Sequence, residues 1–179
     1  MRHAFFTSIG LLCLVLTCGN LKANAQEIRK AGQRGFVTFA PRIGIGVHNG
    51  FVFEGGLSAL YIDNENLEFG AASLYATYFI QQRNFQSDFD VSGFKIGIQS
   101  SWAFFMWGFE VKTAFYNASV STYISPKIGF SIMDVINLEY LINIAGRRDD
   151  YPLRSNHQVG FNVSLNKPIY QKVLRPFFQ

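Results

Sequence analysis

Between Thr122 and Ile144 the chain alternates apolar and polar side chains through two successive runs. Ile124, Pro126, Ile128, Phe130 and Ile132 fall on one parity, with Ser125, Lys127, Gly129 and Ser131 between them. After Met133-Asp134 the pattern resumes, with Ile136, Leu138, Tyr140, Ile142 and Ile144 set against Asn137, Glu139, Leu141 and Asn143. A period of two belongs to extended strands, in which successive side chains point to opposite faces of a sheet. A helix would need a period near 3.6 and would mix the two sets, so this stretch predicts a pair of strands joined at Met133-Asp134.

The same alternation recurs along the chain. It predicts strands over 36–46, 51–62, 67–81, 92–102, 107–116 and 157–165, besides 124–132 and 136–144. His48-Asn49-Gly50 predicts a tight hairpin, since Asn-Gly supplies the left-handed backbone that such turns require. Asp63-Asn64-Glu65-Asn66 is a turn by composition, and 82–90, 117–121 and 145–156 are longer polar connections. No connection is long enough to hold a helical crossover, so neighbouring strands are antiparallel. Eight antiparallel strands can close on themselves and leave no open edge. The predicted fold is therefore all-β, an eight-stranded antiparallel up-and-down barrel.

The first 25 residues differ from the rest. Arg2 and His3 precede an apolar run from Phe5 to Leu16, and Ala23-Asn24-Ala25 has the small-residue pattern of a signal-peptide cleavage site. The run is shorter than the ~20 residues of a spanning helix. Cleavage is expected after Ala25. A lipoprotein signal ending at Cys18 is the alternative, and Thr17 before that cysteine fits it poorly. Cys13 and Cys18 both lie in this segment, so the remaining chain can form neither disulfides nor thiolate metal sites. Without Arg2 and Lys22 the formal net charge of +4 falls by two to +2, which does not point to nucleic acid. The expected organisation is a signal peptide over 1–25, a periplasmic lead-in over 26–35, a barrel over 36–166 and a periplasmic tail over 167–179.

Which face looks outward decides the environment. A soluble barrel hides its apolar faces, whereas a membrane barrel turns them to lipid. The polar faces here carry Gly, Ser and Asn with isolated charges, too few for a water-facing sheet. The apolar faces are long, aromatic and nearly uncharged, as lipid requires. The polar-face charges nearly balance: Arg42, Lys95, Lys112 and Lys127 against Glu54, Glu110 and Glu139. These seven are expected to form one internal ion network, because an eight-stranded interior holds side chains and no wide pore. Trp102, Phe104, Phe105 and Trp107 suit an interfacial aromatic girdle.

Signal peptide, eight amphipathic strands and polar core together make the chain resemble the small eight-stranded outer-membrane β-barrels, the class of outer membrane protein X and the outer membrane protein A barrel. The resemblance is one of architecture over nearly the whole chain after residue 25, without a family-specific motif. It implies a bacterial outer-membrane location, contact with outer-membrane lipids and lipopolysaccharide, and a monomer. Asn166 to Gln179 departs from the class, whose chains commonly stop at an aromatic residue ending the last strand. Pro168 and Pro176 argue against a further strand there.

The expected role is structural or surface-interacting, without catalysis, cofactor or metal. The charged loop 145–156, with Arg147, Arg148, Asp149, Asp150 and Arg154, is the candidate site for an extracellular ligand. His48 and His157 are expected near the outer rim. Ser155 and His157 are the candidate catalytic pair for an alternative reading as a lipid A-modifying deacylase, although their order differs from that family's His-x-Ser pattern and no acidic partner is evident nearby. A soluble periplasmic ligand-binding barrel is the third reading.

Overall fold

The structure, a computed structural model, describes residues 35–63, 70–82, 85, 89–117, 119–147 and 156–178. The expected signal peptide, most of the lead-in and most of the loop 145–156 lie outside the described residues. The strands are β1 (Gly35–Val47), β2 (Phe51–Asp63), β3 (Ala71–Gln81), β4 (Val91–Trp102), β5 (Phe105–Tyr116), β6 (Ser119–Ile132), β7 (Ile136–Ile142), β8 (Ile144–Arg147) and β9 (His157–Ser164). From β1 to β7 each strand pairs antiparallel with the next, β7 pairs with β9, and β9 pairs with β1. Both β7 and β8 pair with β6, so they share one place in the wall. The result is a closed eight-stranded up-and-down barrel.

The register sets its shape. Stepping across the wall from Val37 leads through Tyr61, Ala72, Ser100, Trp107, Ile128, Tyr140 and Val159, and arrives back on β1 at Val47. One circuit thus climbs ten residues, from 37 to 47. Ten residues at ~3.3 Å against eight strands at ~4.8 Å correspond to a strand tilt of about 41°, within the usual range for closed barrels.

Three local features depart from the expected boundaries. β5 begins at Phe105, so the turn after β4 contracts to Ala103 and Phe104, with Ala103 at φ 54°. β6 begins at Ser119, two residues into the segment expected to be a loop. The strand expected over 136–144 is interrupted at Asn143, whose N–H donates to the Asn156 carbonyl at 2.6 Å while its side-chain oxygen accepts from Ser125 Oγ at 2.8 Å. The ladder between β6 and β8 shifts register at Thr122/Tyr123. An irregular bond at one wall position lets the last outward-reaching strand bend toward its loop.

The tight turns have identifiable chemistry. Met133 and Asp134 both adopt positive φ (51° and 62°), and Val135 N–H donates to the Ile132 carbonyl at 2.9 Å. That is the mirror-image turn whose twist matches paired strands. Gly50, at φ 151°, passes so close to the Gln82 carbonyl that a Cβ would collide with it.

Inside, the barrel is layered. The end bearing the β2–β3, β4–β5 and β6–β7 turns is filled by Phe36, Ala40, Leu60, Ile62, Ala71, Met133 and Val135. The chain beyond Ser164 turns helical over Lys167–Ile169, Tyr170–Leu174 and Arg175–Phe177, and presents Ile169, Val173 and Leu174 to the same cluster. Asn166 starts this turn: its Oδ1 accepts from Ile169 N–H at 3.0 Å, and its Nδ2 donates to Thr38 Oγ1 at 2.8 Å. An N-cap asparagine followed by Pro168 in the first turn is a standard helix start, which is why the prolines exclude a strand without preventing order. At the other end Val52, Phe79, Val91, Ala114 and Tyr123 form a second apolar cluster. Between the two lies a charged waist.

Candidate functional site

The waist is assembled from eight inward positions on seven strands. Arg42 comes from β1, Glu54 from β2, Tyr75 from β3, Lys95 and Gln99 from β4, Glu110 from β5, Lys127 from β6 and Glu139 from β7. Each sits on the parity opposite the outward aliphatic and aromatic residues of its own strand. Apart from Glu54, at 5 % side-chain exposure, these residues are at most 3 % exposed.

Lys127 makes close polar contacts with three side chains. Its Nζ lies 3.0 Å from Glu139 Oε2, donates to Tyr75 Oη at 2.8 Å and donates to Gln99 Oε1. Glu139 also faces Arg42 Nη2 at 3.6 Å. Arg42 reaches Glu54 Oε1 at 4.0 Å, and Glu54 pairs with Lys95, whose Nζ is 3.9 Å from Glu110 Oε1. The structure therefore brings six of the seven expected residues into one connected set. Lys127 and Glu139 are not directly opposite in the ladder, where Gly129 faces Glu139 and Lys127 faces Leu141. They meet diagonally across a two-residue offset.

Lys112 stands apart from the ion pairs. Its Nζ donates to Gln81 Oε1 at 3.3 Å, lies 3.5 Å from His48 Nδ1 and sits 4.6 Å above the Phe79 ring. Glu110 does not touch Lys127 directly; Tyr75 stands between them, its hydroxyl donating to Glu110 Oε2 at 2.8 Å while accepting from Lys127.

Tyr75, Gln99 and Asp134 join the network without having been singled out from the sequence. Tyr75 lies between two cations, with Arg42 Cζ 4.1 Å and Lys127 Nζ 4.4 Å from its ring centroid. It supplies both a phenol for hydrogen bonding and a face for the cations. A signal for it was present: Tyr75 is opposite Gly97, an inward glycine on the next strand, and a Cβ there would fall on the Tyr75 hydroxyl. Phe79 lies opposite Gly93 in the same way. Gln99 Nε2 donates to Asp134 Oδ1 at 2.6 Å, linking the waist to the β6–β7 turn. Burial raises the Asp134 carboxyl above its ordinary range, against the opposing effect of the Gln99 hydrogen bond. With Asp134 included, the buried interior carries four cations and four carboxylates among the described residues.

The two histidines separate. His48, in the β1–β2 turn, is 2 % exposed and its side chain is turned inward, with Asn143 Nδ2 3.5 Å from its Nε2 and Lys112 and Gln81 on its other nitrogen. His157 is exposed on the outer wall, where its ring stacks on Tyr140 at 5.8 Å and Nδ1 lies 2.5 Å from the Tyr140 hydroxyl. Ser155 and Arg148, Asp149, Asp150 and Arg154 lie outside the described residues.

Chemically, the waist is a cross-braced plug. Its charged atoms are enclosed between two apolar clusters and held by one another. Among the described residues no group of three or more His, Cys, Asp or Glu side chains is placed to hold a metal ion. Buried ion pairs of this kind offset the desolvation cost of each charge only when their partners are present, so removing one partner leaves a buried charge exposed to that cost. Comparison with protein-family models, with curated proteins and with solved structures returns no match.

Proposed function

We propose that the chain is a small integral protein of the bacterial outer membrane, a barrel with a filled interior and a structural or surface-interaction role. One observation carries this reading. Among the strand positions whose side chains are described, no outward-facing one is Lys, Arg, Asp or Glu. Those positions instead present residues such as Ile43, Ile96, Trp107, Ile128 and Phe161, while the charges are inside. Apolar surface this continuous far exceeds what a water-soluble monomer exposes. In hydrocarbon the same arrangement is the stable one, because a closed wall satisfies every strand edge and a charge facing lipid is costly.

The filled interior supports a role that involves no wide pore. The waist and the two apolar clusters occupy the axis, and an eight-stranded wall encloses little more than its own side chains. The outer loops, including 145–156, are then the part left to meet partners. Fractionation tests the location: recovery in the outer-membrane fraction is expected, and recovery in the soluble periplasm would overturn the reading in favour of a soluble ligand-binding barrel. Mass spectrometry of lipid A from cells with and without the protein tests the absence of catalysis. An altered acyl pattern that disappears in His157→Ala would establish the deacylase reading instead.

A further inference from the structure

The outer wall is not uniformly convex. Across β2, β3 and β4 the outward residues Ala59, Ala72 and Ser100 are small, and they floor a groove of about 410 Å³. Tyr61 and Trp107 stand at its two sides, on the row in which Tyr61 pairs with Ala72, Ala72 with Ser100 and Ser100 with Trp107. Leu74 and Ile98, one rung further from the sealed end, line it toward the middle of the wall. Tyr61 is two residues from the end of β2 and Trp107 two residues from the start of β5, so the groove begins close to the end plugged by the helical tail.

We propose that this groove holds an acyl chain of a membrane lipid. The inference rests on the membrane reading above and deepens it by placing one lipid contact. Four features of the groove select this occupant. The outward hydroxyl of the floor, Ser100 Oγ, already donates to the Ala71 carbonyl at 3.3 Å, while Ser73 and Gln99 belong to the inward face. A peptide lying there would leave its own backbone groups unsatisfied, since β2, β3 and β4 are each paired on both sides at this level. The segment preceding β1, Gln26 to Arg34, is polar and basic and does not match an apolar trough. A second copy related by a two-fold axis through this face would set concave against concave and leave the volume empty. A flexible hydrocarbon chain fills an irregular apolar trough with no polar group to satisfy, and amphipathic Tyr and Trp rings favour the level at which headgroup gives way to hydrocarbon.

The chain's two tryptophans make this measurable, because Trp107 lines the groove and Trp102 does not. The full-length protein is reconstituted in phosphatidylcholine vesicles with or without bromine on the acyl chains, and tryptophan quenching is read in Trp102→Phe and in Trp107→Phe. Filling the floor with Ala72→Leu, or separately with Ala59→Leu, is expected to lower the quenching of Trp107 at least twofold and to leave Trp102 unchanged. Ala76→Leu, outward on β3 but outside the groove, controls for added bulk. Quenching of Trp107 that is indifferent to both filling substitutions would overturn the groove while leaving the membrane reading intact. If neither tryptophan responds to brominated lipid, the membrane reading itself falls, and the groove with it.

Discussion

Lys127 and Glu139 offer the sharpest test of the charged waist. At 3.0 Å and an effective dielectric of about 20, their Coulomb attraction is about 5.5 kcal/mol. Glu139 also has Arg42 at 3.6 Å, and Lys127 has Tyr75 and Gln99, so neither is wholly stranded when the other is removed. Lys127→Met leaves Glu139 to Arg42 alone. Glu139→Gln leaves two cations facing a neutral amide. Each single change is expected to cost up to about 3–5 kcal/mol, the penalty for a wholly uncompensated buried charge being the upper bound. The double variant restores neutrality and should cost well under the sum. Relaxation around the remaining partners brings the expected coupling down to about 2–3 kcal/mol. Denaturant unfolding of the four refolded proteins in lipid vesicles measures the cycle. A coupling below about 0.5 kcal/mol would refute the argument, for it would mean that water screens the pair.

Ile128 is 63 % exposed on the outer wall, so Ile128→Arg should cost about 2–4 kcal/mol in vesicles if hydrocarbon surrounds it, and close to nothing if water does. Gly97→Ala puts a Cβ on Tyr75 and should loosen the hydroxyl that links Lys127 to Glu110, costing about 1–3 kcal/mol by unfolding. An unchanged stability would show that the ring has room to move. Ile169 is fully buried in the apolar cluster at the sealed end, so Ile169→Ala should cost about 2–4 kcal/mol in the same assay. A tail that merely rested against the barrel would show no loss.

Much of the wall was legible from parity alone. Which of Phe94 or Lys95, Ile128 or Lys127, Leu138 or Glu139 shares a face with which neighbours follows from the two-residue period of a strand, and that period is local. The hairpin at His48-Asn49-Gly50 was legible from its Asn-Gly pair, and the turn at Met133-Asp134 from the lapse between two alternating runs, both signals within a few residues. Eight such runs with short connections already imply antiparallel closure.

What the tertiary structure alone decided depends on residues far apart in sequence. The ten-residue climb from Val37 to Val47 is a property of the closed ring, and no single hairpin contains it. That climb sets which inward side chains share a level, so Tyr75 meets both Lys127 and Glu110 while Lys112 rises away toward Gln81 and His48. The tail's proline-bearing sequence argued against a strand but did not reveal where Ile169, Val173 and Leu174 would be buried. Their partners Phe36, Leu60 and Val135 form a cavity of matching shape only once β1, β2 and the β6–β7 turn have come together. Local sterics write the pattern of a strand into the sequence, whereas contacts across a barrel exist only after the ring has closed and set its shear.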